Sequence, residues 1–344
     1  MREGVAIDGS RGEGGGQILR TSLALSIVTR RPLHMTRIRA GRAKPGLRRQ
    51  HLACVEAAAR LCGAQVRGAT LGSQELHFTP GDTFAEAIEI DIGSAGSTTL
   101  VVQTVLVPAL VANTPLRLVV HGGTHNPMAP PFDFLDRVFL PHLRAMGGDV
   151  TLTLERHGFF SAEPSQRLGQ LTLVTAPSTL RGITLVDAGE VTERRATSVL
   201  ARLPSHIAER ELAVARERLG FAPRECEVRE LRSSLGVTGN VLLIEVARGS
   251  ARELVTGFGE KGLRAELVAE RACDEVAAFL AAGVPVGEHL ADQLLLPMAV
   301  AGAGRFRCAP LSLHATTNIE TIARFLDVKF RDEPADDRSV LVYL

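Results

Sequence analysis

One pattern recurs three times along this chain, and that repetition constrains the fold more than any other feature. A glycine-rich turn runs into an apolar helix at "GEGGGQILRTSLALSI" (12–27), "GSAGSTTLVVQTVLVPAL" (93–110) and "GEHLADQLLLPMAVAGAG" (287–304). A short strand ending in a polar turn comes next, at "MTRIRAGR" (35–42), "LRLVVHGGT" (116–124) and "FRCAPLSLHATTN" (306–318). Second helices are expected over 46–63, 131–148 and 318–326, followed in the first two copies by strand-like stretches such as 65–81 and 149–160. Each unit therefore reads β-α-β-α-β-β. The pitch is uneven: Gly12 to Gly93 spans roughly 80 residues, and Gly93 to Gly287 roughly 194. The excess of about 110 residues is the size of a small inserted domain. The sequence predicts a catalytic body over 1–181 and 284–344, and a smaller α/β insert over 182–283 standing as a separate lobe. The fold class expected is α+β, with three units packed around a shared centre where their polar turns converge.

Composition narrows the function classes. With 45% hydrophobic and 22% charged residues over 344 positions, the chain has ample apolar surface for a core. A net charge of +1 excludes polyanion binding through bulk charge but leaves room for a local basic cleft. Five cysteines without a CxxC pair suggest neither a disulfide framework nor a zinc site, and fit a reducing cytosol. No apolar run approaches a membrane span, so no membrane partner is expected. The absence of Trp and the single Tyr343 argue against broad base-stacking platforms.

The turns carry the chemistry. "DGSRGEGGGQILR" (8–20) can lay backbone N–H groups and a helix N-terminus against an anion, and Glu13 beside such a cradle suits a divalent cation. In "RIRAGRAKPGLRRQH" (37–51), Arg39 and Arg42 flank Ala40-Gly41, where guanidinium forks suit phosphate; Arg48 and Arg49 are expected to face solvent. Leu311 and Leu313 read as a strand end, and Thr317, Asn318 and Glu320 as the cap and first turn of a helix, leaving His314 on the turn between them. An imidazole there is either a core histidine satisfied by a carbonyl or a nucleophile facing an anion cleft. No HExxH or GxSxG motif offers a different chemistry.

Taken together, "GEGGGQILR", "RAGRAKPGLRRQHL", "GSAGSTTLVVQT", "GGTHNPMAPPFDF", "GEHLADQLLLPMA" and "HATTNIETIARFL" resemble the RNA 3′-terminal phosphate cyclase family. The resemblance covers nearly all of the chain outside the expected insert. It implies units like the C-terminal domain of translation initiation factor three. It also implies ATP-dependent cyclisation of an RNA 3′-phosphate to a 2′,3′-cyclic phosphate. By position it makes His314 the adenylated residue, with Gln103, His289, Leu290, Ala291, Asp292 and Gln293 in the ATP pocket. Phe134 and Phe258 match positions that pack the adenine, and Pro130 is a further cofactor-binding position. Arg20, Arg39, Arg42, Gln50 and His51 match the set facing the RNA phosphate, and Glu13 a carboxylate near a divalent metal, Mg or Mn. Two departures stand out: 156–169 lacks the family's Pro-x-Gly-Gly-Gly stretch, and His289 occupies a place where some relatives carry an aromatic. Two other readings remain: an inactive relative acting in ribosome assembly, which would be expected to lose His314, and an enolpyruvyl transferase built on related units.

Overall fold

The computed structural model describes residues 3–159, 169–231, 238–249 and 251–344, so most of the 156–169 stretch lies outside the described residues. The chain is α+β, with helices packed on four mixed four-stranded sheets. First come β1 (Val5–Asp8), α1 (Gly16–Thr29), β2 (Leu33–Thr36), α2 (Arg49–Cys62), β3 (Gln65–Arg67) and β4 (Leu76–Thr79), with the strands ordered β1-β2-β4-β3. Then follow β5 (Ala87–Asp91), α3 (Thr98–Val111), β6 (Leu116–Gly122), α4 (Phe132–Phe134), a π-helical turn (Leu135–Phe139), α5 (Leu140–Ala145), β7 (Asp149–Arg156) and β8 (Gly169–Ala176). Their sheet runs β5-β6-β8-β7. In both sheets the first two strands are parallel and the other pairs antiparallel.

The next strand, β9 (Thr184–Leu185), precedes a second group of elements. These are β10 (Val191–Ala201), α6 (His206–Leu219), a 3-10 turn (Pro223–Glu225), β11 (Cys226–Glu230), β12 (Gly239–Arg248), β13 (Ala251–Phe258) and α7 (Ala265–Ala282), with strand order β11-β10-β12-β13. The chain ends with α8 (Glu288–Ala301), β14 (Arg305–Cys308), α9 (Leu313–Ala323), β15 (Arg331–Asp336) and β16 (Ser339–Tyr343). The last sheet is ordered β15-β16-β14-β9. Thr184 and Leu185 thus pair in parallel with Arg305 and Phe306. They belong to this terminal sheet, although the boundary at 182 would put them in the insert. Two residues are too short for any periodicity to register.

Helix α3 is apolar nearly all round because it is covered nearly all round: α1 and α2 pack along it, and β6 and β8 lie beneath it. Ser97 caps it, its hydroxyl accepting the Leu100 N–H at 3.3 Å. The insert is less separate than expected. Side chains alternate along β12. Leu242, Ile244 and Val246 join a core of the insert's own with Leu212 from α6 and Val276 from α7. Val241 and Leu243, on the opposite face, join the core of the body. A strand buried on both faces reads as the unbroken apolar run "VLLI". Glu245 shares the body-facing side and pairs with Arg252 and with Arg137 on the π-helical turn, at 3.1 Å to the latter. Arg137 in turn holds Asp133 at 3.0 Å.

Glu253 on β13 makes a second tie, reaching the N-terminus of α8. A side chain on Gly287, the N-cap there, would collide with the Glu253 carboxylate. Burial and the nearby charge of Glu275 push the Glu253 carboxyl up to about 8. The folded chain therefore holds a proton that the unfolded chain releases near the ordinary carboxylate range. That contribution to stability is present below pH 4.5 and lost as pH rises through about 8, with a slope of about 1.4 kcal/mol per pH unit. Glu253→Gln is expected to flatten the fall in thermal midpoint between pH 6 and pH 8. An unchanged slope would mean that Glu253 does not carry that proton.

Candidate active site

A cavity of about 520 Å³ opens where α1, α3, α8 and α9 meet β13 and α7 of the insert, a volume typical of small-molecule sites. Arg20, Gln103, Pro130, Phe134, Phe258, His289, Asp292, Gln293 and His314 all line it. Leu290 and Ala291 do not; both are buried in the core and seat α8 beneath the site. Gln103 projects from α3, while Asp292 and Gln293 sit in the second turn of α8. At one end Phe134 meets the His289 ring edge-on, with centroids 6.4 Å apart. Phe258 comes from β13, so the β11-β10-β12-β13 sheet supplies part of the wall.

His314 is placed differently from the sequence expectation. Strand β14 ends at Cys308, and α9 already begins at Leu313. The Ser312 hydroxyl, not Thr317, caps the helix by accepting the Ala315 N–H at 3.4 Å. The imidazole therefore projects from the first helical turn, exposed at the cavity.

Its orientation is set by Asp292 and Asn318 together with Gln17, which the sequence reading did not single out. His314 Nδ1 lies 2.9 Å from Gln17 Oε1. The Gln17 amide nitrogen donates to Asp292 Oδ1. Asn318 donates to the same carboxylate oxygen at 3.0 Å, while accepting the Thr21 hydroxyl at 2.9 Å. A carboxylate only accepts, so the Gln17 N–H must face Asp292 and its carbonyl oxygen must face His314. Nδ1 is then the protonated ring nitrogen, and Nε2 keeps its lone pair. Burial raises the Asp292 carboxyl, and the Gln17 and Asn318 hydrogen bonds counter this.

The phosphate-facing candidates form a neighbouring cluster, joined to the cavity by Arg20. A side chain on Gly16, the first residue of α1, would come within 2.6 Å of His51 Nε2 and 3.3 Å of Arg20 Nη1, so glycine is what lets these groups meet at the helix end. Burial and the charges of Arg39, Arg20 and Arg48 push the His51 imidazole down to about 3. It is neutral across the physiological range, with Nδ1 accepting the Arg48 N–H at 3.1 Å. Burial likewise lowers Arg20. Arg39 has φ +53 and donates to the Lys44 and Gly46 carbonyls at 2.8 and 2.9 Å, so part of its fork closes its own turn. Gln50 does not line the cavity; its Oε1 accepts the Ser97 N–H at 2.9 Å. Arg48 and Arg49 are exposed as expected, with Arg49 also donating to the Gly93 carbonyl at 2.9 Å.

Glu13 connects the glycine loop to α9: its N–H donates to the Thr317 hydroxyl at 3.0 Å, one helical turn beyond His314. Its Oε1 pairs with Arg42, and its buried Oε2 has no protein partner. An orphaned carboxylate oxygen beside a phosphate-binding loop fits a divalent cation that takes its other ligands from phosphates and water. His125, in the loop that follows β6, is buried. Its Nε2 lies 2.9 Å from Asp133 and its Nδ1 2.8 Å from the Thr124 hydroxyl, so it serves the fold.

The family profile described as RNA 3′-terminal phosphate cyclase matches residues 11–331. This chain belongs to the RNA 3′-terminal phosphate cyclase family. A relative of that name from Koribacter versatilis is 47% identical over 327 residues, covering 95% of this chain and 91% of its own. Another from Salmonella enteritidis is 47% identical, covering 96% of each. A third from Ectopseudomonas mendocina is 44% identical over 340 residues, covering 99% of this chain and 98% of its own. The solved enolpyruvyl transferase NikO from Streptomyces tendae overlaps 49% of this chain and 33% of its own, at 15% identity and a TM-score of 0.27. So loose an overlap carries no weight beside the cyclase family, and the enolpyruvyl transferase reading falls away.

Proposed function

We propose that this chain uses ATP to convert an RNA 3′-phosphate end to a 2′,3′-cyclic phosphate, with AMP carried on His314 between steps. One observation carries the proposal: an exposed imidazole at the cavity whose Nδ1 is tied through Gln17 to Asp292, leaving Nε2 as the free nucleophilic atom. A binding-only relative acting in ribosome assembly has no use for that arrangement, and the names of the relatives speak for the enzyme.

The chemistry follows from the charges. A phosphate monoester dianion repels its neighbouring 2′-hydroxyl and has no leaving group, so one must be installed. His314 Nε2 attacks the α-phosphorus of ATP; a P–N bond forms and the P–O bond to pyrophosphate breaks. Nδ1 keeps its proton against Gln17 throughout. An oxygen of the RNA 3′-phosphate then attacks the same phosphorus and expels the imidazole as the neutral Nδ1–H tautomer, giving an RNA-(3′)pp(5′)-adenosine end. The 2′-hydroxyl closes on the adjacent phosphorus, loses its proton and releases AMP, helped by proximity within one ribose. In this reading Phe134, Phe258, His289 and Pro130 hold the adenine, while Gln103, Asp292 and Gln293 shape the pocket around it. Arg20 stands between the two halves, and Arg39, Arg42 and His51 face the RNA end. A Mg or Mn ion held by Glu13 would withdraw charge from the phosphates. The elements fit three copies of one β-α-β-α-β-β unit: two are continuous, and the third is interrupted between β9 and α8 by an insert that lends the site one wall. Five free cysteines fit a reducing compartment such as the cytosol. Among the described residues, no helix is long and apolar enough to cross a membrane.

Arg42 tests the division of labour. Arg42→Ala removes a charge-assisted contact of about 1.5–3 kcal/mol. It is expected to accept AMP from ATP at near the normal rate, but to cyclise pre-adenylated RNA at least about tenfold more slowly. Product is read as phosphatase-resistant RNA ends, and enzyme adenylation as protein-bound label from α-labelled ATP. Equal loss in both steps would place the basic turn in the ATP site.

A further inference from the structure

On the outer face of the first sheet, well apart in sequence from His314, two histidines and a glutamate converge. His34 on β2 and His77 on β4 are directly opposed in the antiparallel register, and their rings stack with centroids 4.1 Å apart and planes within 10°. Directly opposed residues on neighbouring strands share a face and lie close enough for their side chains to act together. Glu75, two residues before His77, turns back over the pair. Its Oε1 lies 2.7 Å from His34 Nε2 and 3.3 Å from His77 Nε2. The Ser73 hydroxyl accepts the Glu75 N–H at 3.3 Å and donates to the Glu75 carbonyl at 2.7 Å, fixing the backbone that presents the carboxylate. Among the described residues this cluster brings three potential ligand atoms within 4.8 Å of one another.

We propose that His34, His77 and Glu75 form a binding site for a divalent transition-metal ion of the Zn²⁺ class, separate from the nucleotide site. The donor set is two imidazole nitrogens and one carboxylate oxygen, which suits borderline ions and not Mg²⁺. Bonds of about 2.0–2.1 Å in a tetrahedron put neighbouring ligand atoms about 3.3 Å apart. The His77–Glu75 spacing already meets that, and the His34–Glu75 pair opens by a few tenths of an ångström once the ion replaces their hydrogen bond. Water fills the fourth position. All three side chains are 43–59% exposed, so they are reachable from solvent. Ala6 and Arg67 are the register neighbours that flank the histidines, and the Arg67 charge moderates the affinity. The ligands bracket the chain that carries Arg39, Arg42 and His51, so a bound ion would tie β2 to β4 at the base of that basic turn.

Zn²⁺ titration of the metal-stripped full chain by calorimetry tests this. The wild type is expected to take up one Zn²⁺ in the micromolar range or tighter. Glu75→Gln is expected to weaken that binding on the order of tenfold, and the double variant His34→Gln, His77→Gln to abolish it. Those exposed glutamines suit a strand surface, and adenylation of His314 by ATP confirms that each variant is folded. Wild-type Zn²⁺ binding no tighter than that of the double variant would overturn the proposal, because the ion would then be going elsewhere, to Glu13 or to a cysteine.

Discussion

His314→Ala is expected to remove transfer of AMP to the protein almost entirely, a loss on the order of 10³-fold or more of the kind seen when a nucleophile is deleted. His314→Asn should fail equally, since an amide nitrogen has no available lone pair. The fold should survive. His314 is exposed in the first turn of α9, alanine is a strong helix former, and the Ser312 cap does not depend on it. The change in stability is expected to stay within about 0.5 kcal/mol. The geometry also identifies which residue would be implicated by residual labelling. His51 is buried with Nδ1 taken by the Arg48 N–H, and His125 is buried with both ring nitrogens engaged, whereas His289 is exposed and lines the same cavity, 3.7 Å from Glu275. Robust labelling of His314→Ala would move the chemistry to His289. The measurement is protein-bound label from α-labelled ATP alongside thermal unfolding.

Gln17→Leu should have the next largest effect. Leucine removes the acceptor for His314 Nδ1 and leaves the Gln17-facing side of Asp292 without its donor. The imidazole can then protonate or rotate freely, and adenylation is expected to slow roughly ten- to a hundredfold, equivalent to losing one or two hydrogen bonds of about 1.5 kcal/mol. Because Gln17 acts through His314, the loss should fall on the adenylation rate more than on the apparent affinity for ATP. A Gln17→Leu variant with unchanged adenylation kinetics would show that Gln17 does not position His314.

Much of the frame was readable in the chain because it is local. Glycines before apolar runs mark the starts of α1, α3 and α8, and the alternation of helix-length and strand-length segments follows from periodicity alone. The failures are also physical. "LSLH" looks like strand by composition, yet the Ser312 hydroxyl competes for the helix end and starts α9 before His314. The Gln17 bond to His314 spans 297 positions in sequence, and no local pattern predicts a contact of that separation. Arg39 reads as a free fork, but its left-handed backbone aims one nitrogen at carbonyls of its own turn. The insert reads as separate because its length is separate. The two-sided burial of β12, the Glu245–Arg137 pair and the reach of Glu253 to α8 join it to the body, and none of these is local in sequence.

In the proposed reaction AMP rides on His314 through Nε2. Peptide mapping of the wild-type chain after brief incubation with ATP and divalent metal, without RNA, tests this at the residue concerned. A single acid-labile adenylate is expected on the peptide containing His314, discharged when RNA with a 3′-phosphate is added. An adenylate on His289 or any other residue, or cyclised RNA formed with no adenylated protein at any time point, would contradict it.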